Sequence, residues 1–168
     1  METDLYNLQL MENLKAAARL DVLTNVGNRR AIYESIDAAI ADYQHDGKPI
    51  IVVTFDLNKF KLINDEFGHQ VGDKVLKAIA TYFNRKIKDG DFIGRLGGDE
   101  FLLILKNTTE NQAENLMQTL ICSFSEEPIL IKYQIKISYG ISEVSGKKCN
   151  YNSLIKSDDI KMMNKKKN

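Results

Sequence analysis

The sequence predicts an α/β fold in which helices flank a mixed central sheet. Residues 50–55 are Ile-Ile-Val-Val-Thr-Phe, a nearly continuous β-favouring run that is typical of a strand buried on both faces. Two further apolar runs, 92–96 and 101–105, flank Gly97-Gly98-Asp99-Glu100 and indicate a β-hairpin. Helical patterns are interleaved with these strands, and this order favours helices packed on the faces of the sheet.

The first twenty residues are predicted to form a linker helix. Apolar residues recur there at helical spacing, namely at Leu5, Leu8, Met11, Leu14 and Ala18. Such an amphipathic helix either begins a short coiled coil or packs against its own domain, and a pattern of this length is compatible with both. The chain is therefore divided into a linker helix, 1–20, and one domain, 21–168.

The other elements are predicted from turn residues and from the period of the apolar positions. Loops are placed where glycine, proline and capping residues cluster, helices where apolar residues recur every three or four positions, and strands where they alternate. The elements in order are a loop over 21–28, a helix that ends before Gly47 and Pro49, the strand 50–55, a short segment through Ile63, a loop at Gly68 and Gly72, a helix with an apolar face over 75–87, the hairpin, a helix over 109–124, strands over 129–131 and 133–141, and a last helix from about residue 151.

Composition and charge exclude several classes of protein. The 168 residues are 43% hydrophobic and contain 23 Lys+Arg against 23 Asp+Glu, which is typical of a globular domain without general nucleic-acid affinity. The apolar stretches are far shorter than the ~20 residues that span a bilayer, and the acidic opening at 1–4 is unlike a signal peptide. We therefore expect a cytoplasmic protein with no membrane segment in this chain. Cys122 and Cys149 lack metal-ligand spacing and are expected to be reduced thiols.

Three acidic residues are predicted to lie near one end of the sheet. Asp56 ends the buried strand, and Asp99 and Glu100 occupy a hairpin whose strands should pair with that sheet. Carboxylates at close range oppose each other's ionisation unless a cation neutralises them, so the three are either a site for Mg²⁺ or separate, solvated acids at strand ends. The adjacent glycines allow a bulky anion to approach the backbone, but they also suit an ordinary hairpin turn.

Four motifs resemble those of the GGDEF family of diguanylate cyclases. The family signature is similar to residues 95–101, Arg-Leu-Gly-Gly-Asp-Glu-Phe. The family's metal-binding strand and following helix resemble residues 55–65, and its substrate loop resembles residues 68–73, Gly-His-Gln-Val-Gly-Asp. Its opening motif resembles Asp21-Val22-Leu23-Thr24 followed by Asn28-Arg29-Arg30. All four occur in the family's order and at family-like spacing, so the resemblance covers the chain from about residue 21 to its end.

The resemblance implies a palm-like fold, shared in outline with polymerases and nucleotide cyclases, and a bacterial signalling enzyme. The reaction implied is the condensation of two GTP into cyclic di-GMP with release of pyrophosphate. Each domain would hold one GTP, so two copies must face each other as a homodimer. By the same match, two Mg²⁺ or Mn²⁺ ions per site are bound by Asp56, the Leu57 carbonyl, Asp99 and Glu100, and Asp99 also activates the 3′-hydroxyl.

The same match assigns the substrate contacts. Asn64 and Asp73 contact guanine, His69 lies in the substrate loop, and phosphates are bound by Phe60, Lys61, Lys166 and the Gly97-Gly98 backbone. For Asp73 the implied role also fits hydrogen-bond chemistry, because its carboxylate can accept from the N1 and N2 hydrogens of guanine. Adenine offers no such pair of donors, so GTP should be preferred over ATP.

Two features depart from the family pattern. The family often has an inhibitory Arg-x-x-Asp motif just before the signature, and here Lys88 and Asp91 occupy the matching positions. This degenerate inhibitory site should bind cyclic di-GMP weakly. The family's closing helix usually continues into Gly-Arg-Asn and a final strand, whereas this chain ends with Lys165-Lys166-Lys167-Asn168, so we expect a shortened C-terminal end. Lys166 is then either the phosphate-binding lysine or part of a solvated tail.

Three functional hypotheses follow. The leading one is an active, metal-dependent diguanylate cyclase, because every position matched to metal or guanine is intact. The alternative is a catalytically weak or inactive GGDEF domain that binds GTP or cyclic di-GMP and signals by contact. A different nucleotide cyclase or a polymerase-like palm is the third, and product identity would separate it from the first. The linker helix suggests an upstream sensor domain.

Overall fold

The computed structural model describes residues 1–145 together with residues 152 and 154. Most of the predicted helices and strands are present in it. The elements are α1 (Glu2–Ala17), α2 (Arg29–Asp46), β1 (Ile50–Leu57), α3 (Phe60–Phe67), α4 (His69–Lys86), β2 (Phe92–Gly97), β3 (Glu100–Lys106), α5 (Glu110–Cys122), a 3₁₀ turn (Ser123–Glu126), α6 (Pro128–Lys132) and β4 (Ile137–Glu143).

The central sheet has the strand order β2-β3-β1-β4, with the buried strand β1 in its interior. The predicted fold class is confirmed, since helices flank the sheet and the signature motif lies in the β2–β3 hairpin. The three strand pairings within the described residues are antiparallel. Parallel pairing there is limited to an isolated bridge between Gly27 and Gly94, so the sheet is less mixed than expected.

The two faces of the sheet are covered by separate hydrophobic clusters. One face packs on α4 and α5, and the other packs on α2. Alternation along β1 produces this division, because Ile51, Val53 and Phe55 belong to the first cluster and Val52 to the second. Phe55 is fully buried and stacks on Phe83 of α4 with ring centroids 4.4 Å apart. Burial on both faces explains the unbroken apolar run.

Asp56 is on the same sheet face as Val52, but beyond the part covered by α2. Successive side chains of a strand alternate between faces, so residues 52, 54 and 56 share one face. The helix α2 covers this face through Ile32, Ile36 and Ala39, all fully or almost fully buried. Asp56 is only half-buried, which leaves the end of this face as the place where a ligand can reach the sheet.

Helix termini follow the capping residues of the sequence. Asn28 accepts a hydrogen bond from the Ala31 N–H at the start of α2, and Gly47 ends that helix in the left-handed region, with φ of 68°. Thr109 and Gln112 form a complete capping box at the start of α5. These local signals explain why both helix starts were predicted correctly.

The helix α1 does not pack its apolar stripe against the domain. Leu5, Leu8, Met11 and Leu14 are between 56% and 68% exposed. Just after the helix, Arg19 forms an ion pair with Glu34 of α2. Of the two arrangements left open by the sequence, packing on its own domain is therefore wrong for most of α1, and the coiled coil stays a prediction.

Two predicted strands near the C-terminal end were wrong in type or extent. Residues 129–131 belong to α6, because Pro128 occupies its first turn with a backbone torsion already suited to a helix. The strand predicted over 133–141 begins only at Ile137, because Gln134 adopts a φ of 50° that an extended strand cannot contain. The last predicted helix lies largely outside the described residues, although Asn152 and Leu154 are helical.

Candidate active site

The signature motif forms the turn of the β2–β3 hairpin. Gly97 has a φ of 145° and Gly98 a φ of 52°, backbone conformations that side chains with a Cβ rarely adopt. A Cβ built on either glycine would meet no atom within 4 Å, so the outer side of the turn is open. The pair of glycines therefore both forms the turn and leaves its backbone accessible to a ligand.

The hairpin brings Glu100 opposite Asp56. These residues are register partners of β3 and β1, so their side chains leave the sheet on the same face. Asp99 lies in the turn and is half-buried, whereas Glu100 is exposed. The expected juxtaposition of strand-end and hairpin acids is thus present for Asp56 and Glu100.

The described residues include no group of three or more acidic, histidine or cysteine side chains already arranged to hold a metal ion. The chemistry of the four predicted ligands nevertheless fits a hard cation such as Mg²⁺, because carboxylates and a main-chain carbonyl supply only oxygen ligands. Asp56 has a buried carboxylate oxygen, Oδ1, and it is followed in the same strand by Leu57, whose carbonyl was predicted as a further ligand. Asp56, Leu57, Asp99 and Glu100 remain the residues that could hold an ion.

The predicted guanine-contacting residues lie on the consecutive helices α3 and α4. Asn64 is half-buried on α3, and its Oδ1 atom is buried without a hydrogen-bond partner. Asp73 and His69 are exposed on α4, and Gly68 joins the two helices with a φ of 89°. An exposed carboxylate next to a half-buried amide supplies both an acceptor and a donor for a base.

The predicted phosphate-contacting residues Phe60 and Lys61 begin α3. Lys59 precedes the helix with a φ of 56°, and no side chain caps the N-terminus. The first N–H groups of a helix lack intrahelical partners and attract anions. Phe60 is half-buried and Lys61 is exposed. Lys166 lies outside the described residues.

Arg95 and Arg29 hold the hairpin in place, a role that the sequence motifs alone did not predict. Arg95 donates two hydrogen bonds to the Gly98 carbonyl, from Nε at 3.0 Å and from Nη2 at 2.8 Å. Its Nη1 atom also lies 3.1 Å from the Asp21 carboxylate. Arg29 donates to the Leu96 carbonyl at 3.2 Å. Both arginines belong to motifs quoted above, but only the fold shows that they act on the same turn.

Asp21 is ionised more readily than an ordinary aspartate. Burial raises the pKa of its carboxyl, but hydrogen bonds from the Thr24 side chain and backbone and from Arg95 outweigh burial and hold that pKa below its usual value. Thr24 donates through both its N–H, at 2.9 Å, and its hydroxyl, at 2.7 Å. The opening motif therefore supplies a fixed negative charge that orients Arg95 toward the signature turn.

The sequence matches the family described as diguanylate cyclase, GGDEF domain, over residues 18–168. The chain belongs to the GGDEF domain family. This match spans everything after the linker helix, so all the elements that surround the hairpin are part of the GGDEF domain.

Curated relatives of this GGDEF domain are named diguanylate cyclases. One from Vibrio cholerae is 36% identical over 146 residues, which is 86% of this chain and 46% of that protein. DgcP from Escherichia coli is 35% identical over 92% of this chain and 46% of its own length. DgcP from Pseudomonas aeruginosa is 34% identical over 81% of this chain and 21% of its own length. The chain thus spans half or less of these relatives.

Solved GGDEF structures share the fold. The active GGEEF domain of a diguanylate cyclase from Vibrio cholerae has a TM-score of 0.75 and 32% identity, covering 83% of this chain and 90% of that one. The coiled coil and GGDEF domain of DgcB from Caulobacter crescentus, in complex with c-di-GMP, has a TM-score of 0.87 at 24% identity, covering 99% of this chain and 90% of that one. The second likeness, below 25% identity, shows the fold alone.

The residues at the degenerate inhibitory position already bind each other. The Lys88 Nζ atom lies 3.1 and 3.2 Å from the two carboxylate oxygens of Asp91 and 3.2 Å from the Thr108 hydroxyl. The Asp91 side chain is only 2% exposed and also accepts a hydrogen bond from the Lys106 N–H. Asp91 therefore holds together the segment before β2 and the end of β3, which gives it a structural role in this GGDEF domain.

Proposed function

We propose that the chain is the catalytic domain of a diguanylate cyclase that condenses two GTP into cyclic di-GMP and releases two pyrophosphates. In each half-reaction the 3′-oxygen of one GTP forms a bond to the α-phosphorus of the other. The bond from that phosphorus to the pyrophosphate leaving group breaks, and the 3′-hydroxyl loses its proton. One observation above all supports this proposal. The Gly-Gly-Asp-Glu turn is intact, and its glutamate, Glu100, is the register partner of Asp56 on the neighbouring strand.

Asp56, the Leu57 carbonyl, Asp99 and Glu100 are proposed to hold two divalent ions, Mg²⁺ or Mn²⁺. Such ions, when bound, lower the pKa of a hydroxyl and neutralise the charge that develops on transferring phosphates. Asp99 is the residue that we propose to orient the attacking 3′-hydroxyl, because it lies in the open turn next to two glycines. Nucleotidyl transfer asks little covalent chemistry of a protein and depends on alignment of the attacking and leaving oxygens.

The substrate is proposed to lie across the hairpin and the start of α3. Its guanine would contact Asn64 and Asp73, while the phosphates would reach the first N–H groups of α3 at Phe60 and Lys61 and the Gly97-Gly98 backbone. His69 and Lys166 are proposed to complete the site. Each domain is proposed to hold one GTP, so turnover would require two GTP-loaded copies facing each other.

Regulation and location are proposals of the same kind. The exposed stripe of α1 favours a homodimer and an upstream sensor that acts through this helix. No helix in the described part of the chain is long and apolar enough to cross a membrane. A cytoplasmic location is proposed from the sequence alone.

Incubation with GTP and Mg²⁺, followed by mass identification of the product, tests the proposal. We expect cyclic di-GMP and pyrophosphate, no product with EDTA, and no product from Asp99→Ala. Asp99→Ala should melt at or above the wild-type temperature without metal, because removing a carboxylate relieves repulsion among neighbouring acids. Asp37→Ala, at an exposed acid on α2, is the matched control and should stay active. A fully active Asp99→Ala protein would contradict the assignment, and GTP binding without turnover in the wild type would favour the binding-module alternative.

A further inference from the structure

Gly72 is a glycine inside a helix where backbone geometry does not demand one. It is the fourth residue of α4, and its N–H donates a helical hydrogen bond to the Gly68 carbonyl at 3.2 Å. Its φ does not lie in the left-handed region that favours glycine. Glycine within a helix destabilises the fold relative to alanine, so another feature of the structure must account for it.

The space beside Gly72 is filled by Asn64. A Cβ placed on Gly72 would lie 1.8 Å from Asn64 Oδ1, 3.0 Å from its Cγ and 3.2 Å from Phe60 Cζ. The distance to Oδ1 is too short for any side chain, and the other two are tighter than most Cβ contacts, so Asn64 can keep its position only while residue 72 has no side chain. Gly72 lines no part of the proposed site itself, since it is buried beneath Asn64.

The contact also fixes which end of the Asn64 amide faces outward. Oδ1 is buried against α4 and has no hydrogen-bond partner. The half-buried side chain can therefore present only its Nδ2 group to a ligand, and Nδ2 is a donor. Asp73, one residue after Gly72, offers acceptors. A donor beside a carboxylate matches guanine, whose edge combines acceptor atoms with the N1 and N2 hydrogens.

We propose that Gly72 is a positioning residue for guanine recognition, and that its missing side chain lets Asn64 lie against α4 with its amide donor directed at the base. This inference rests on the proposed function, because it assumes that Asn64 contacts guanine. Since the colliding atom is the tip of a side chain, an alanine at 72 should be accommodated by rotation of Asn64 rather than by unfolding. Stability and base recognition should then change in opposite directions.

The test is Gly72→Ala, examined by thermal melting and by calorimetry with a non-hydrolysable GTP analogue. We expect an unchanged or higher melting temperature, because alanine favours the helix, together with about tenfold weaker binding of the GTP analogue, the loss of about one hydrogen bond. Binding of the matching ATP analogue should change little. In turnover, KM for GTP should rise while kcat at saturating GTP stays near the wild-type value.

A double-mutant cycle with Asn64→Ala separates positioning from a general packing effect. In the Asn64→Ala background there is no amide to displace, so Gly72→Ala should weaken GTP binding no further and should raise the melting temperature more than it does in the wild type. Independent, additive effects on GTP binding would overturn the proposal. So would Gly72→Ala with wild-type affinity, or with lower stability and unchanged affinity.

The side-chain amide resonances of Asn64 give a readout that needs no nucleotide. Gly72→Ala should shift them as the amide leaves its position against α4, and unchanged resonances would overturn the proposal whatever the activity. A wild-type protein that binds GTP without forming cyclic di-GMP would contradict the proposed function and leave this inference standing. A wild-type protein that binds no GTP would contradict both the function and the guanine part of the inference.

Discussion

Asp73 and Lys88 are single residues whose chemistry sets the proposed choice of ligand. Asp73 is an exposed carboxylate on α4, one residue after the glycine that packs against Asn64. Lys88 has a charge where the family often has arginine, but it is already in an ion pair with Asp91. In both cases the geometry of hydrogen-bond donors and acceptors, rather than net charge, should determine what binds.

Asp73→Ser should narrow the preference for GTP over ATP. A carboxylate that faces adenine loses its hydrogen-bond partners, which costs roughly 1–3 kcal/mol, or about five- to 150-fold in selectivity. Serine is a smaller, neutral group that can donate or accept, so this penalty should largely disappear. A competition assay with both nucleotides measures the ratio. Glu66→Ser, at an exposed acid on α3, should keep the wild-type ratio, and an unchanged ratio in Asp73→Ser would contradict the role of Asp73.

Lys88→Arg should tighten binding of cyclic di-GMP without altering GTP turnover at low product. A guanidinium presents parallel donors in a planar fork, whereas an ammonium cannot make the same bidentate contact. If one charge-assisted hydrogen bond of roughly 1.5–3 kcal/mol is gained, affinity should rise by about ten- to a hundredfold. Calorimetric titration of cyclic di-GMP into the wild type and Lys88→Arg measures the two affinities. Tight binding to the wild type outside the GTP site would show that lysine suffices and that the expectation is wrong.

At the scale of elements, the loop after α1 is joined to the signature hairpin by backbone hydrogen bonds at Gly27 and by an ion pair between Asp21 and Arg95. Asp21 and Arg95 are 22% and 15% exposed in their side chains, so the pair is well shielded from solvent. The Nε and Nη2 atoms of Arg95 donate to the Gly98 carbonyl. The Arg95 side chain therefore contacts both the segment that follows α1 and the signature turn.

Asp21→Asn should reduce stability in a pH-dependent way. Because the folded-state pKa of Asp21 lies below the unfolded value, the unfolded chain binds a proton first as the pH falls. Asp21 therefore makes its full contribution to the free energy of unfolding above about pH 5. This contribution is lost progressively as the pH falls through the lowered folded-state pKa. At pH 7 the variant should lose about 1–2 kcal/mol of unfolding free energy, since a neutral acceptor replaces a charged one.

Urea denaturation of wild type and Asp21→Asn at pH 7, 5, 4 and 3 measures this dependence. The difference in unfolding free energy between the two proteins should shrink as the pH falls, because only the wild type loses the stabilisation by ionised Asp21. Asp37→Asn removes an exposed acid of α2 and should follow the wild type throughout. A gap that stays constant down to pH 3 would show that Asp21 acts through something other than its charge.

At the scale of the whole molecule, the exposed apolar stripe of α1 favours assembly over intramolecular packing. Among the residues that the structure describes, the two hydrophobic clusters do not include Leu5, Leu8, Met11 or Leu14. The proposed reaction consumes two GTP, each held by a separate copy, and would need the copies to meet. Helix pairing would raise their effective concentration.

Turnover per chain should therefore rise with protein concentration, and Leu8→Glu should lower it at low concentration. Leu8 is 61% exposed, so its replacement should change the unfolding free energy by no more than about 0.5 kcal/mol. Gln9→Glu adds the same charge outside the stripe and serves as the control. Fusion of a strong coiled coil before Asp21 should restore activity. A specific rate independent of concentration in a monomeric protein would contradict a dimeric mechanism.

The sequence determined by itself most of the elements and the residues of the candidate site. The β1 run, the Asn28 and Thr109 caps and the double glycine at 97 and 98 are local signals, and local backbone energetics are sufficient to interpret them. The residues of the four motifs could be named in the same way, because a short motif is recognised from its residue types and their spacing, without knowledge of the fold. The prediction failed at 129–131, where three apolar residues fit a strand or a helix and only Pro128 distinguishes them.

The tertiary structure alone decided which distant residues meet. Pairing of β1 with β3 places Asp56 opposite Glu100, and packing of α4 on α3 places Gly72 under Asn64. It also joins Arg95 to Asp21 across 74 residues of chain. Such contacts depend on strand register and on helix packing, which are set by how the two faces of the sheet are buried and not by any local propensity. The spacing of residues along the chain therefore predicts the chemistry of this site, and the burial of the sheet determines its geometry.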